Sequence, residues 1–241
     1  MMGGGGFGVE INEVEVLPGI DFYDKGGVQP HGAEGSVRFF VSQLRPISKG
    51  DGPHMEQLLQ DKRLYDFLEE VDREFTCQAQ AKGCDHCGSV LHRGDFERKP
   101  RGLGPGWEKR DSLCCSRDGC RKRKTPPSVR FLGRKVYLGV VVVLVSAMLH
   151  GASESRLKRL QQILPIDRRT LKSWRHWWAE RFVQSAFWKG MRGRFRRPVD
   201  PGQMPLGLVE AFGAHQVEGL VKLMTFLCPI TTKSVAEGLV M

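Results

Sequence analysis

Cys84-Asp85-His86-Cys87-Gly88 and, further along, Cys115-Ser116-Arg117-Asp118-Gly119-Cys120 decide how this chain is read. Two thiolates three positions apart can grip one metal ion only if the backbone turns tightly, and Gly88 permits that turn. The second pair is wider, and Gly119 just before Cys120 again supplies turn freedom. Four thiolates close a tetrahedral shell, so the expectation is one structural Zn2+ held by Cys84, Cys87, Cys115 and Cys120. Cys114 stands beside Cys115, and neighbouring residues on a strand face opposite ways, so only one of the two can point at the metal. Cys115 is preferred, with Cys114 as the alternate and His86 and His92 in reserve. Ser89 to Gly94 and Lys109 to Cys115 read as two short strands joined by the glycine-rich loop Pro100 to Gly106, the arrangement a zinc ribbon requires.

Downstream of the cysteines the chain turns cationic. Arg121-Lys122-Arg123-Lys124 leaves the second pair directly, and residues 126–135 read as a basic linker whose two prolines prevent continuous helix. Three helices are expected, near 136–150, 153–163 and 167–183. Val136 to Leu149 is apolar but shorter than the ~20 residues a bilayer span needs, so it reads as a buried helix and no membrane is expected as a partner. Leu157, Leu160, Ile163 and Leu164 give the next helix an apolar face. Asp167 can cap the third, and Leu171, Trp174 and Trp178 form its inward stripe. Arg168, Arg169, Lys172 and Arg175 lie between those apolar positions, as in a helix that presents donors to base edges and phosphates. Trp177-Trp178 and Phe187-Trp188 read as core or partner-facing rings rather than as base-stacking platforms. Arg192, Arg194, Arg196 and Arg197 alternate with Gly193 and Phe195 as a flexible basic arm suited to the backbone or minor groove.

The fold class expected is mainly α with a small β zinc ribbon, followed by a three-helix helix-turn-helix unit. Residues 1–54 read as an irregular extension broken by glycine and proline. Residues 55–80 read as an amphipathic helix, with room for one break, in which Leu58, Leu59, Leu64, Phe67, Leu68, Val71 and Phe75 recur at helical steps. Residues 81–125 form the ribbon, 136–190 the helical domain, and 191–241 the basic arm and two C-terminal helices, Leu206 to Phe212 and Gln216 to Leu227.

Charge narrows the class of partner. The whole chain is formally +10. Residues 81–200 hold about 28 basic and about 10 acidic side chains, roughly +18, so the two ends together are net negative. Such a block suits a polyanion, because neutralised phosphates release condensed counterions. The stretch Met1 to Gly8 has no secretory pattern, and five of the seven cysteines cluster within Cys84 to Cys120, so a reducing, cytoplasmic setting with metal-bound thiols is expected.

Cys84-x-x-Cys87-Gly88, a second cysteine pair followed by Arg121-x-Arg123, and the linker Thr125-Pro126-Pro127 resemble the zinc-ribbon head of bacterial insertion-sequence transposases and their small accessory proteins. The core Ile166-Asp167-Arg168-Arg169-Thr170-Leu171-x-x-Trp174 is similar to the turn and recognition-helix start of the helix-turn-helix in such proteins. The likeness covers about residues 81–183; Pro165 stands where such turns usually carry Gly, and Gln161 where a small Ala is usual. The ribonuclease-H-like catalytic domain of those enzymes needs three metal-binding carboxylates on a large α/β sheet, a pattern missing after residue 183. The resemblance therefore implies zinc-dependent binding of nucleic acid, duplex DNA in the first instance, without enzymatic chemistry. The chain would be an accessory or regulator whose further partner is a transposase or integrase. The alternative is an RNA-binding or protein-bridging ribbon module. A hydrolytic set of Asp85, His86 and Asp95 beside the metal is disfavoured by a closed thiolate shell.

Overall fold

The computed structural model describes residues 54–97, 109–132, 137–150, 154–164 and 166–232. The expected irregular extension (apart from His54), the loop Pro100 to Gly106 and Pro165 of the expected turn lie outside them. The described chain is mainly helical, with five short strands in antiparallel pairs.

Helix α1 (His54–Leu58) and helix α2 (Lys62–Lys82) cover the expected amphipathic segment, with a break between them. The break follows from Asp61, whose carboxylate accepts from the Arg63 backbone N–H and starts a new helix. Tyr65 ties the two pieces together by donating to the Leu59 carbonyl at 2.9 Å. Leu64, Phe67, Leu68, Val71 and Phe75 are buried in the main core, so the apolar face of α2 is occupied within this chain. Helix α2 ends at Gly83, at φ +74°, where a Cβ would lie 2.9 Å from the Gly88 carbonyl oxygen. No other residue fits that close approach, and the chain passes straight from the helix into Cys84.

The cysteine-bearing unit contains β1 (Leu91–Arg93), β2 (Phe96–Glu97), β3 (Lys109–Arg110), β4 (Leu113–Cys115) and β5 (Arg123–Lys124). Strands β1, β4 and β5 form a three-stranded antiparallel sheet in that order, and β2 pairs with β3. Leu91 lies opposite Cys115, and His92 opposite Cys114. The third strand was not expected from the sequence: Arg123 and Lys124 pair with Cys114 and Leu113. A small core of Ala79, Cys84, Leu91, Leu113 and Cys115 joins this unit to the end of α2.

Residues 126–132 of the expected basic linker are a structural element instead, and residues 133–135 lie outside the described residues. Ser128 to Leu132 are buried, and Arg130 is 1% exposed. The physical reason is the carboxylate of Asp72, itself fully buried on α2, which needs a cation and donors inside the fold.

Helix α3 (Gly139–Met148) is buried along its whole length. Its valines favour strands in isolation, but a segment surrounded by apolar neighbours is helical through packing rather than propensity. It packs against α5, α7 and α8, defined below. Gly139 allows the approach: a Cβ there would lie 2.6 Å from the Met224 methyl. Helices α4 (Glu154–Ile163) and α5 (Arg168–His176) follow, joined by a short turn in which Gln161 Nε2 donates to the Ile166 carbonyl.

The expected single helix over 167–183 changes its winding at Trp177–Phe182, where it becomes a π-helix. Trp174, Trp177, Trp178 and Phe182 are all buried there, and Trp178 meets Phe182 edge-on at 4.9 Å. Helix α6 (Ala186–Met191) and a 3-10 turn (Arg192–Arg194) follow. The basic arm is not free: Phe195 packs among Trp188, Phe212 and Phe226 with ring centroids 5.6 to 5.9 Å away. Helix α7 (Leu206–Ala211), helix α8 (Val217–Leu227) and a 3-10 turn (Cys228–Thr231) complete the core. No described helix is long and apolar enough to cross a membrane.

Candidate metal centre

Four thiols converge between the end of α2 and the three-stranded sheet. Cys84, Cys87, Cys115 and Cys120 place their Sγ atoms within 4.8 Å of one another. Cys84 Sγ is 3.8 Å from Cys120 Sγ, and Cys87 Sγ is 3.5 Å from Cys115 Sγ. A tetrahedral ion with metal–sulfur bonds of ~2.3 Å needs sulfurs about 3.8 Å apart, so these four residues fit such an ion without backbone rearrangement. Cys84 and Cys115 are buried and Cys87 and Cys120 half-buried, a closed and largely sheltered set.

Each half of the site is made locally. In the first loop the Gly88 N–H donates to the Cys84 carbonyl at 2.8 Å and the Cys84 N–H to the Ser89 carbonyl at 2.9 Å. Gly88 adopts φ +68°. In the second loop the N–H groups of Cys120 and Arg121 both donate to the Arg117 carbonyl, and Gly119 is at φ +83°. Arg121, directly after the last cysteine as Gly88 is directly after Cys87, sits in the left-handed region at φ +42°.

Hydrogen bonds from the Ser89 hydroxyl and N–H bring the Cys87 pKa down to about 6. The Arg117 N–H lowers Cys115, but burial and the neighbouring Cys87, Cys120 and Cys84 outweigh it and push this thiol up to about 12. A divalent cation reverses that second effect, because thiolates that repel one another in its absence all bind it.

Strand register decides between the adjacent cysteines. Cys115 faces the cluster with Leu91, whereas Cys114 faces the other side of the sheet with His92. The reserve ligands His86 and His92 are exposed and stand outside the cluster. Of the remaining cysteines, Cys77 is exposed on α2 and Cys228 is buried in the main core.

The expected cationic contacts divide into three groups. In Arg121 to Lys124, Arg121 pairs with Asp118 at 2.6 Å and Lys124 with Asp85 at 2.6 Å, while Lys122 and Arg123 have no carboxylate partner among the described residues. On α5 the side chains of Arg168, Arg169, Lys172 and Arg175 are exposed, and only Leu171 and Trp174 are buried. Arg192, Arg194, Arg196 and Arg197 are exposed around the anchored Phe195. Trp177, Trp178 and Trp188 are buried and Phe187 half-buried, so these rings belong to the core.

The sequence does not mark the buried ion network centred on Arg130. Arg130 joins α2, β3 and its own segment through Asp72, the Lys109 carbonyl and Asp111. Arg110, also buried, donates to the Pro126 carbonyl. These bonds, with Gln80 Nε2 donating to the Leu91 carbonyl at 3.2 Å, fasten the metal unit to the helical body. No periodicity or spacing marks such a network in advance.

Compared with known protein families, curated proteins and solved structures, the chain matches none.

Proposed function

We propose that this chain is a zinc-dependent DNA-binding protein. In this reading one structural Zn2+ occupies the four-cysteine cluster, the sheet around it is a zinc ribbon, and α4 and α5 act as a helix-turn-helix. The observation that carries the proposal is the cationic face of α5. Four long donors, Arg168, Arg169, Lys172 and Arg175, stand exposed on a nine-residue helix whose inner face is fixed by Leu171 and Trp174. Arg168 and Arg169 occupy the first turn, where the helix macrodipole disfavours positive charge. The Asp167 carboxylate caps that turn, and the exposed cations beside it form a positive surface complementary to phosphate.

Zinc is the ion of choice because four thiolates in a closed shell suit it and leave no position for a catalytic water. In this reading the chain has no catalytic domain of its own and serves as an accessory or regulator of a mobile element, alongside a transposase or integrase. That link rests on the motif likeness of residues 81–183. A reducing compartment such as the cytoplasm keeps the thiols available to the metal.

The test is direct. Purified protein should carry about one zinc per chain and shift duplex DNA at ~50 mM salt, with affinity falling steeply as salt rises. Replacing Arg168, Arg169, Lys172 and Arg175 together by Ala should lower the log–log salt slope by about 0.9 for each phosphate contact removed. No shift of any duplex at that salt sinks the proposal. Tighter binding to structured RNA in competition would favour the RNA-binding alternative.

A further inference from the structure

The two faces of the β1–β4–β5 sheet handle their charges differently. On the metal side, the register sets Arg93, Leu113 and Lys124 in one row. Both cations of that row have carboxylate partners: Lys124 meets Asp85 at 2.6 Å and Arg93 lies 3.9 Å from Asp95. On the outer side the row is His92, Cys114 and Arg123. Directly opposed residues on paired strands share a face, and successive residues alternate, so these three point away from the metal together. His92 and Arg123 are exposed, and Cys114 is half-buried between them. Val90, whose carbonyl continues the ladder by accepting from the Ser116 N–H at 3.0 Å, is 64% exposed next to the row. No acidic residue belongs to the row, and neither His92 nor Arg123 has a carboxylate partner among the described residues.

We infer that this outer face of the sheet is a second contact for the sugar–phosphate backbone of DNA, with Arg123 and His92 as donors; the inference rests on the DNA-binding reading above. The argument is charge complementarity. An outer row whose donors have no carboxylate partner, on a sheet where Arg93 and Lys124 do have one, is complementary to an anion arriving from outside. The register places the two donors on the outer strands β1 and β5, on either side of Cys114 on β4. The metal ion acts on this face through the backbone: Cys115 is bound on one side of β4, and Cys114 is thereby presented on the other.

The experiment removes one charge from each face of the same sheet. In zinc-loaded protein, Arg123→Ser should weaken duplex binding and lower the log–log salt slope by about one, the signature of one lost phosphate contact. Arg93→Ser, on the metal side, should leave the slope unchanged. Arg123→Lys should keep it, and His92→Ser should weaken binding further when combined with Arg123→Ser. Zinc content of each variant, measured in parallel, establishes that the unit is intact. Equal slopes for wild type and Arg123→Ser, or equal losses for Arg93→Ser and Arg123→Ser, overturn this inference and leave DNA binding through α5 standing. Wild-type protein that binds no duplex overturns both.

Discussion

Arg130 Nε donates to Asp72 Oδ2 at 2.8 Å, with both side chains shut away from solvent. The same carboxylate accepts from the Ser128 hydroxyl at 2.6 Å and the Val129 N–H at 2.7 Å. The guanidinium also reaches the Lys109 carbonyl, Asp111 and, at 3.5 Å, Glu69. Burial pushes the Asp72 carboxyl up, while Arg130, Arg110 and Ser128 pull it back. The pair therefore links three segments distant in sequence, each partner offsetting the desolvation of the other.

Removing one member leaves the other buried without its nearest counter-charge. Arg130→Met alone should destabilise the protein by about 3–5 kcal/mol, and Asp72→Leu by a similar amount. The double variant Asp72→Leu/Arg130→Met should recover a large part of the loss, since an apolar pair needs no compensation. Urea unfolding of the four proteins of this cycle measures the coupling. Additive losses would show that the two residues do not act as a pair.

The adjacent cysteines give a sharp contrast. Cys115→Ser should abolish stoichiometric zinc binding, because the residue is buried in the cluster, and Cys114→Ser should retain it. Chelation should disorder β1, β4 and β5 while leaving most of the helical signal, since the main hydrophobic core contains none of the four ligands. Metal analysis and far-ultraviolet circular dichroism report the two outcomes. Loss of zinc from Cys114→Ser would show that the ligand set is misassigned.

Asp167 caps α5 by accepting from the Thr170 N–H at 2.8 Å and from the Thr170 hydroxyl at 2.7 Å. The Thr170 hydroxyl and then its N–H hold this carboxyl below its ordinary value of 3.8. The folded-state pKa is depressed, so the contribution of the cap is present above 3.8 and disappears as pH falls through the lower folded value. Amide exchange at Thr170 should therefore accelerate in strong acid, after correction for intrinsic rates. Asp167→Asn, which caps without titrating, should remove that acid dependence.

Two glycines in the helical body should respond in opposite directions. A Cβ on Gly219 would press into the backbone carbonyls of Phe212 and Gly213, where α7 hands over to α8. Gly219→Ala should cost about 1–3 kcal/mol or more, because backbone must move. Gly190, inside α6, has nothing within 4 Å of its would-be Cβ. Gly190→Ala should add about 0.5–1 kcal/mol by lowering the entropy of the unfolded chain. Thermal melts of the two variants separate the cases.

The helices were legible where apolar residues recur at helical steps and a cap marks the start. Leu64, Phe67, Leu68, Val71 and Phe75 announce α2, and Asp167 announces α5. The break at Asp61 was harder to place, because Leu58 and Leu59 keep the apolar pattern running through it. The π-helical turn at Trp177–Phe182 carries no composition signal; it reflects how four large rings share one core. Strand β5 was hidden inside a run of four cations, since pairing with β4 rather than side-chain character makes Arg123 and Lys124 a strand.

Cysteine spacing, glycines beside the cysteines and the block of positive charge are local properties, and from them the sequence alone determined a four-thiol cluster that could hold a metal ion, followed by cationic helices. Which of Cys114 and Cys115 joins the site, which face Arg123 presents, and the burial of Arg130 against Asp72 were decided only by tertiary structure. Those outcomes depend on strand register and on neighbours brought together across about 60 positions of chain. No local pattern encodes where a fixed charge will find its counter-charge once both have left water.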